Sequence, residues 1–155
     1  MAVHYINTTQ KIPVSPEQAW DFFSNPANLQ AITPGKMGLK IKSRLPVEKI
    51  YAGQLLEYTV RPLMGIPLYW MTEITVVEHG KYFIDEQRVG PYRLWHHQHH
   101  FNPVEGGVEM RDIVHYRIPL WILGDLANTL FIKKQVESIF DYRFKKVEEL
   151  FGKWK

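Results

Sequence analysis

Apolar and polar residues alternate along the start of the chain. Val3 and Tyr5, then Ile12 and Val14, fall on period-two positions, which predicts a strand over 3–14. The pattern breaks at Ser15-Pro16-Glu17-Gln18, a helix start in which Ser15 caps, Pro16 forfeits no hydrogen bond at the first helical position, and Gln18 completes a capping box. Trp20, Phe22 and Phe23 supply the apolar contacts of a short helix that ends near Asn25-Pro26. A second short turn carries Leu29 and Ile32, and Thr33-Pro34-Gly35 stops it. Alternation then returns and predicts strands over 39–44, 54–61, 68–78, 81–89, 93–101 and 107–117. His79-Gly80 and Glu105-Gly106-Gly107 read as hairpin connections, and Gly90-Pro91 as a break between strands. Links this short require successive strands to pair antiparallel, because a parallel return needs a crossover of about a dozen residues or more.

After Ile118-Pro119 the period changes to three or four. Leu126, Leu130, Val136, Ile139, Phe140, Phe144, Val147 and Leu150 mark the apolar face of a helix over 124–151. At 1.5 Å per residue that helix is about 42 Å long, which only a large sheet can cover. The expected architecture is α+β, with a curved antiparallel sheet of about seven strands, two short helices and a long C-terminal helix, in one domain over 1–155. A curved sheet holding a helix at a distance leaves a concavity of the kind that takes small molecules.

Composition narrows the classes further. In 155 residues, 45% hydrophobic and 23% charged, the balance is that of a folded domain and excludes disorder and collagen-like repeats. Eight Phe, eight Tyr and five Trp are many bulky groups for one small core, so some are expected to line a cavity. The net charge of +3 is dispersed. Lys133-Lys134 and Lys145-Lys146 are each followed by acids and read as a solvated helix face, so no nucleic-acid partner is expected. Without cysteine there are no disulfides, thiolate nucleophiles or Cys-based metal sites. No apolar run approaches the roughly 18 residues of a membrane span and the first residues lack a signal-peptide pattern, so the expected location is cytoplasmic.

Candidate chemistry lies on three successive strands. In Trp95-His96-His97-Gln98-His99-His100-Phe101, alternation puts Trp95, His97, His99 and Phe101 on one face and His96, Gln98 and His100 on the other. Aromatic brackets mark the first face as the cavity side. Phe83, Asp85 and Gln87 share a face of the preceding strand, and Met110, Asp112, Val114 and Tyr116 share one of the following strand. If these faces join, Asp85, Gln87, His97, His99, Asp112 and Tyr116 meet in one chamber, where His with Asp is the pairing that offsets the cost of burial. Two readings stay open: a polar network that rigidifies the sheet, or a site that orients a ligand oxygen or performs acid–base work. Two imidazoles at i and i+2 suit a shared metal if Asp85 or Asp112 approaches, but helical ligand spacings are absent and no metal or other cofactor is expected. Neither a serine-hydrolase elbow nor a phosphate-cradling glycine loop occurs. The apolar strip 118–123, containing Trp121, reads as a lid or cavity mouth and leaves a transient membrane contact open. Met64 and Met71 read as gap fillers.

This order of elements, with Phe83-x-Asp85-x-Gln87, Gly90-Pro91-Tyr92, Trp95-x-His97-x-His99-x-Phe101, Asp112-x-x-x-Tyr116 and Ile118-Pro119, resembles the SRPBCC superfamily, the START, Bet v 1 and polyketide-cyclase-like group. More closely it resembles small bacterial ligand-binding SRPBCC proteins labelled "cell division inhibitor"-like. The resemblance implies the helix-grip fold. It leaves function broad, since lipid carriers, sterol and hormone binders, quinone-binding proteins, cyclases and dioxygenase domains share the scaffold. The leading expectation is a non-enzymatic carrier of a small hydrophobic molecule of lipid, isoprenoid, quinone or polyketide type, as a monomer or homodimer. Its ligand-facing residues are expected to be Phe83, Asp85, Gln87, Trp95, His97, His99, Phe101, Asp112, Tyr116, Leu130 and Phe140. The alternatives are a cyclase or dehydratase that uses His97 or His99 with Asp85 or Asp112, and an interaction module whose interior is filled by its own side chains.

Overall fold

The computed structural model describes residues 2–43, 49–61, 65–119 and 131–155. Arg44, Met64, most of the strip 118–123, Leu126 and Leu130 lie outside the described residues. Strand β1 (His4–Ile12) leads into helix α1 (Pro16–Phe23), two 3-10 turns (Pro26–Gln30 and Gly35–Met37) and the short strand β2 (Lys40–Ile41). Strands β3 (Gln54–Val60), β4 (Leu68–Glu78), β5 (Tyr82–Val89), β6 (Leu94–Val104) and β7 (Gly107–Arg117) follow, and helix α2 (Lys133–Phe151) closes the chain.

All seven strands form one antiparallel sheet in the order β1-β7-β6-β5-β4-β3-β2. The run from β2 to β7 is the expected meander, and β1 returns to pair with β7 along its whole length. Curvature has a local cause. Strand β4 slips register against β5 between Met71 and Thr72 and again between Ile74 and Val76, and such bulges bend and twist a strand. Strand β2 is shorter than its alternation suggests because it is an edge: beyond Ile41, contact with β3 continues irregularly through Lys42 N–H to the Glu57 carbonyl and Glu57 N–H to the Ser43 hydroxyl. Strand β6 runs three residues past the expected end at Phe101, through Pro103. Its pairing with β5 ends at His100, so Pro103 withholds no ladder bond on that side.

Helix α1 begins with the expected capping box: Gln18 N–H donates to Ser15 Oγ at 3.2 Å, and Ser15 N–H to Gln18 Oε1 at 3.0 Å. It buries Ala19, Trp20 and Phe23. Trp20 packs edge-on against Phe101 and Phe83, at 5.5 and 6.0 Å between ring centroids, and plugs one end of the concave face. Helix α2 lies across the same face and buries Val136, Phe140, Arg143 and Val147. That strip corrects the sequence reading in one respect: Phe144 and Leu150 are exposed, and a charged residue, Arg143, takes the inward position. Phe151 packs against Phe22 at 5.0 Å and fixes the C-terminal end of α2 over the α1 plug. The N-terminal half of α2 roofs the remaining concavity. Among the described residues no helix is long and apolar enough to cross a membrane.

Candidate functional site: a cavity with a histidine–aspartate floor

Strand register assembles the site. Asp85 of β5 lies opposite His97 of β6, and His99 of β6 lies opposite Asp112 of β7. Residues directly opposite on neighbouring strands share a face, so all four project from the concave side. His97, His99 and Asp112 are buried, and the Asp85 side chain keeps 17% of its surface exposed. On the outer face His96 bonds Glu86 at 2.7 Å, and Gln98 links His96 to His100.

The two inner imidazoles lie face to face, with centroids 3.7 Å apart and planes tilted by 39°. A carboxylate stands at each end of this pair. Asp85 Oδ2 is 2.7 Å from His99 Nε2 and 3.6 Å from His97 Nδ1. Asp112 Oδ1 is 2.9 Å from His97 Nε2 and 3.0 Å from His99 Nδ1, the latter too poorly aligned for a hydrogen bond. Arg143 of α2 brings Nη1 to 3.2 Å from the same Asp112 oxygen and rests its guanidinium 5.2 Å from the Phe23 ring. Phe83 stacks on the other face of His99 at 4.1 Å.

These contacts set the charges. Burial pushes the Asp112 carboxyl up, but the Arg143 charge and the polar contacts of His97 and His99 outweigh it and hold the group well below the usual carboxylate range. Asp85 is also lowered, with burial opposed by the His99 hydrogen bond and the charges of His97, His99 and Arg143. Burial and the neighbouring His99 charge lower His97. His99 moves the other way: burial lowers it, but its contacts with Asp112 and Asp85 prevail and raise it. The two carboxylates are thus held in their ionised form by Arg143 and the paired imidazoles, the arrangement that offsets the cost of burying charge.

Above this floor is a cavity of about 230 Å³. Leu56, Trp70, Ile74 and Phe83 of the sheet form its wall, Val136, Ile139 and Phe140 of α2 its roof, and Leu29 of the first 3-10 turn with Ile32 just beyond it one flank. Trp70, Tyr92 and Trp95 contact one another at 4.9 to 5.6 Å and shape one end. Polar atoms are few. Thr72 Oγ1 is buried without a hydrogen-bond partner among the described residues. Burial, with Asp85 nearby, raises Tyr58, and burial, with Tyr116 nearby, raises Tyr92, so both phenols stay protonated at neutral pH. A recess of about 60 Å³ between β1 and α2 meets Asp112 and Arg143 from behind.

Of the residues singled out from the sequence, Phe83, Asp85, Trp95, His97, His99 and Phe140 line the cavity. Asp112 stands behind the histidines. Phe101 belongs to the α1 plug, and Tyr116 is buried in a separate cluster with Ile6, Val114 and Val136. Gln87 serves the backbone instead of the chamber. Its Nε2 donates to the Tyr92 carbonyl at 2.6 Å and its Oε1 accepts from Tyr92 N–H at 3.2 Å, which fixes the turn at Gly90-Pro91-Tyr92. Sequence reasoning missed Arg143, Tyr58, Trp70 and Tyr92 as site residues. For Arg143 the available signal was its place in the 136-140-143-147 spacing.

No protein-family model and no curated protein matches the chain. Solved structures do. A START superfamily protein from Mycobacterium smegmatis superposes with a TM-score of 0.69 at 14% identity, covering 95% of this chain and 99% of that one. A protein from Chromobacterium violaceum superposes with a TM-score of 0.73 at 11% identity, covering 96% of each chain. Ara h 8.0201 superposes with a TM-score of 0.60 at 15% identity, covering 96% of this chain and 99% of that one. The fold is therefore the helix-grip fold of START and Bet v 1-like proteins.

Proposed function

We propose that this protein binds and carries one small, mostly apolar molecule with a single polar end, of lipid, isoprenoid, quinone or polyketide type. The apolar body lies under α2, and the polar end meets Asp85, His97 and His99. The observation that carries this reading is a cavity of about 230 Å³ whose apolar wall and roof end on one group of buried ionisable side chains. Apolar area supplies most of the affinity in such a chamber, and the few polar groups fix orientation. We take the chain as one ligand-binding domain over residues 1–155, acting in the cytoplasm as a monomer or homodimer. Native mass spectrometry of gently purified protein, followed by solvent extraction, tests the reading. One apolar molecule released per chain supports it; protein that stays empty and binds no lipid, quinone or polyketide-like probe contradicts it.

A second reading is favoured by the contacts of His97 and His99 with Asp85 and Asp112: a cyclase- or dehydratase-type enzyme with acid–base chemistry in the same cavity. It predicts turnover of an enolisable substrate that is lost in His97→Ala and His99→Ala while ligand affinity is kept. Affinity and turnover that fall together in these variants would argue for binding alone.

A further inference from the structure

We propose that Asp85, His97 and His99 form a divalent transition-metal site on the cavity floor, with Asp112 orienting the His97 imidazole from behind through its hydrogen bond and open coordination positions facing the ligand. Each of the three residues offers one donor atom, and the three atoms lie within 4.8 Å of one another. The Asp85 oxygen is 2.7 Å from one imidazole nitrogen and 3.6 Å from the other. Donors bonded to one ion at about 2.1 Å with angles of about 90–110° lie about 3.0–3.4 Å apart, so the two Asp85 separations fall on either side of that range and small side-chain rotations bring the donors onto one ion. The nitrogen of each ring that faces away from Asp85 lies 2.9 or 3.0 Å from one oxygen of Asp112. A carboxylate behind a metal-binding imidazole is the arrangement that fixes ring orientation and raises ligand basicity. Arg143 stands 3.2 Å from the same Asp112 oxygen and fixes the carboxylate in place from the helix side.

Donor chemistry selects the ion. Two imidazoles and one carboxylate suit zinc or ferrous iron rather than calcium or magnesium, and three protein ligands leave room for exogenous ones. Asp85, His97 and His99 all border the cavity, so those free positions point at the bound molecule. A divalent ion with Asp85, Asp112 and Arg143 leaves one positive charge uncompensated, which an anionic oxygen of the ligand, a carboxylate or an enolate, would neutralise. The ligand class rests on the carrier reading above; metal binding itself does not.

The test uses untagged full-length protein, stripped with a chelator and dialysed against Co²⁺ or Zn²⁺ alone. One ion per chain is expected. His97→Ala and His99→Ala are each expected to weaken binding at least about 100-fold, and Asp112→Asn about 10- to 100-fold, as for lost orienting partners. His96→Ala/His100→Ala, which alters only the outer face, should leave affinity unchanged. Absence of saturable binding, binding that survives both inner-histidine variants, or binding lost in the outer-face variant overturns the proposal. Should the inner variants fail to fold, proton NMR of the wild-type Co²⁺ complex decides: hyperfine-shifted imidazole signals from His97 and His99 support the site, and signals from other histidines overturn it. Binding of a fluorescent fatty acid to the metal-free protein is measured separately, so loss of the metal site and loss of the carrier reading give different results.

Discussion

Replacing Arg143 with Met exposes how the buried charges are balanced. Methionine keeps an apolar stem near Phe23 and Met110 but removes the cation 3.2 Å from Asp112 Oδ1. The two side chains are 11% and 9% exposed, so solvent screens their attraction little. At an effective dielectric near 20, charges this close attract by about 5 kcal/mol before desolvation. Asp112 keeps His97 and His99 as partners, and Arg143 no longer has to be buried. The net loss should therefore fall at the low end of the range for a broken buried pair, about 3 kcal/mol. With a urea slope of about 2 kcal/mol/M, the unfolding midpoint should drop by about 1.5 M at unchanged slope. Adding Asp112→Asn removes the stranded charge, so the double variant should be more stable than the summed single losses by about 1–3 kcal/mol. A loss below about 1 kcal/mol, or single effects that add within about 0.5 kcal/mol, would refute the charge argument.

Three further variants separate packing from function. Ile139→Trp fills the cavity from its roof and should weaken binding of an apolar probe at least about tenfold, or 1.4 kcal/mol, in protein that still unfolds cooperatively; unchanged affinity would remove α2 from the binding wall. Gln87→Ala deletes both bonds to the Tyr92 backbone and should cost about 1–2 kcal/mol, with faster hydrogen exchange at the Tyr92 amide, and unchanged exchange there would contradict the clamp. Gly107→Ala drives a Cβ into the Ile12 carbonyl across the β1–β7 ladder and should cost about 2–3 kcal/mol by calorimetry, whereas a neutral result would mean that β1 shifts freely.

Faces were legible in the sequence; positions along them were not. Period-two alternation put Asp85, His97, His99 and Asp112 on one side because backbone pleating enforces that whatever the tertiary context. The bounds of β4 and β7 and the Ser15–Gln18 capping box were equally local. Phe101 and Tyr116 share the concave face but miss the cavity, because what covers each end of a strand depends on α1 and α2, which lie outside the strand's own local sequence. Gln87 was assigned to the chamber by the same alternation, yet a turn just beyond its own strand claims both its polar atoms. Arg143 stayed hidden for a different reason: in a helix rich in Lys and Glu a charged residue reads as solvated, and only the carboxylate on β7 makes its burial favourable.

The central claim, that one apolar molecule lies between the sheet and α2, is tested most directly by methyl NMR during titration with a medium-chain fatty acid or a short-chain quinone. Leu56, Ile74 and Ile139 border the cavity, while Leu55 and Val76, on the same strands β3 and β4 as the first two, are exposed. Binding in the cavity predicts that the first three methyl sets shift and saturate at one ligand per chain while the last two stay still. Shifts centred on Leu55 and Val76, or no saturable shift for either probe, would contradict it.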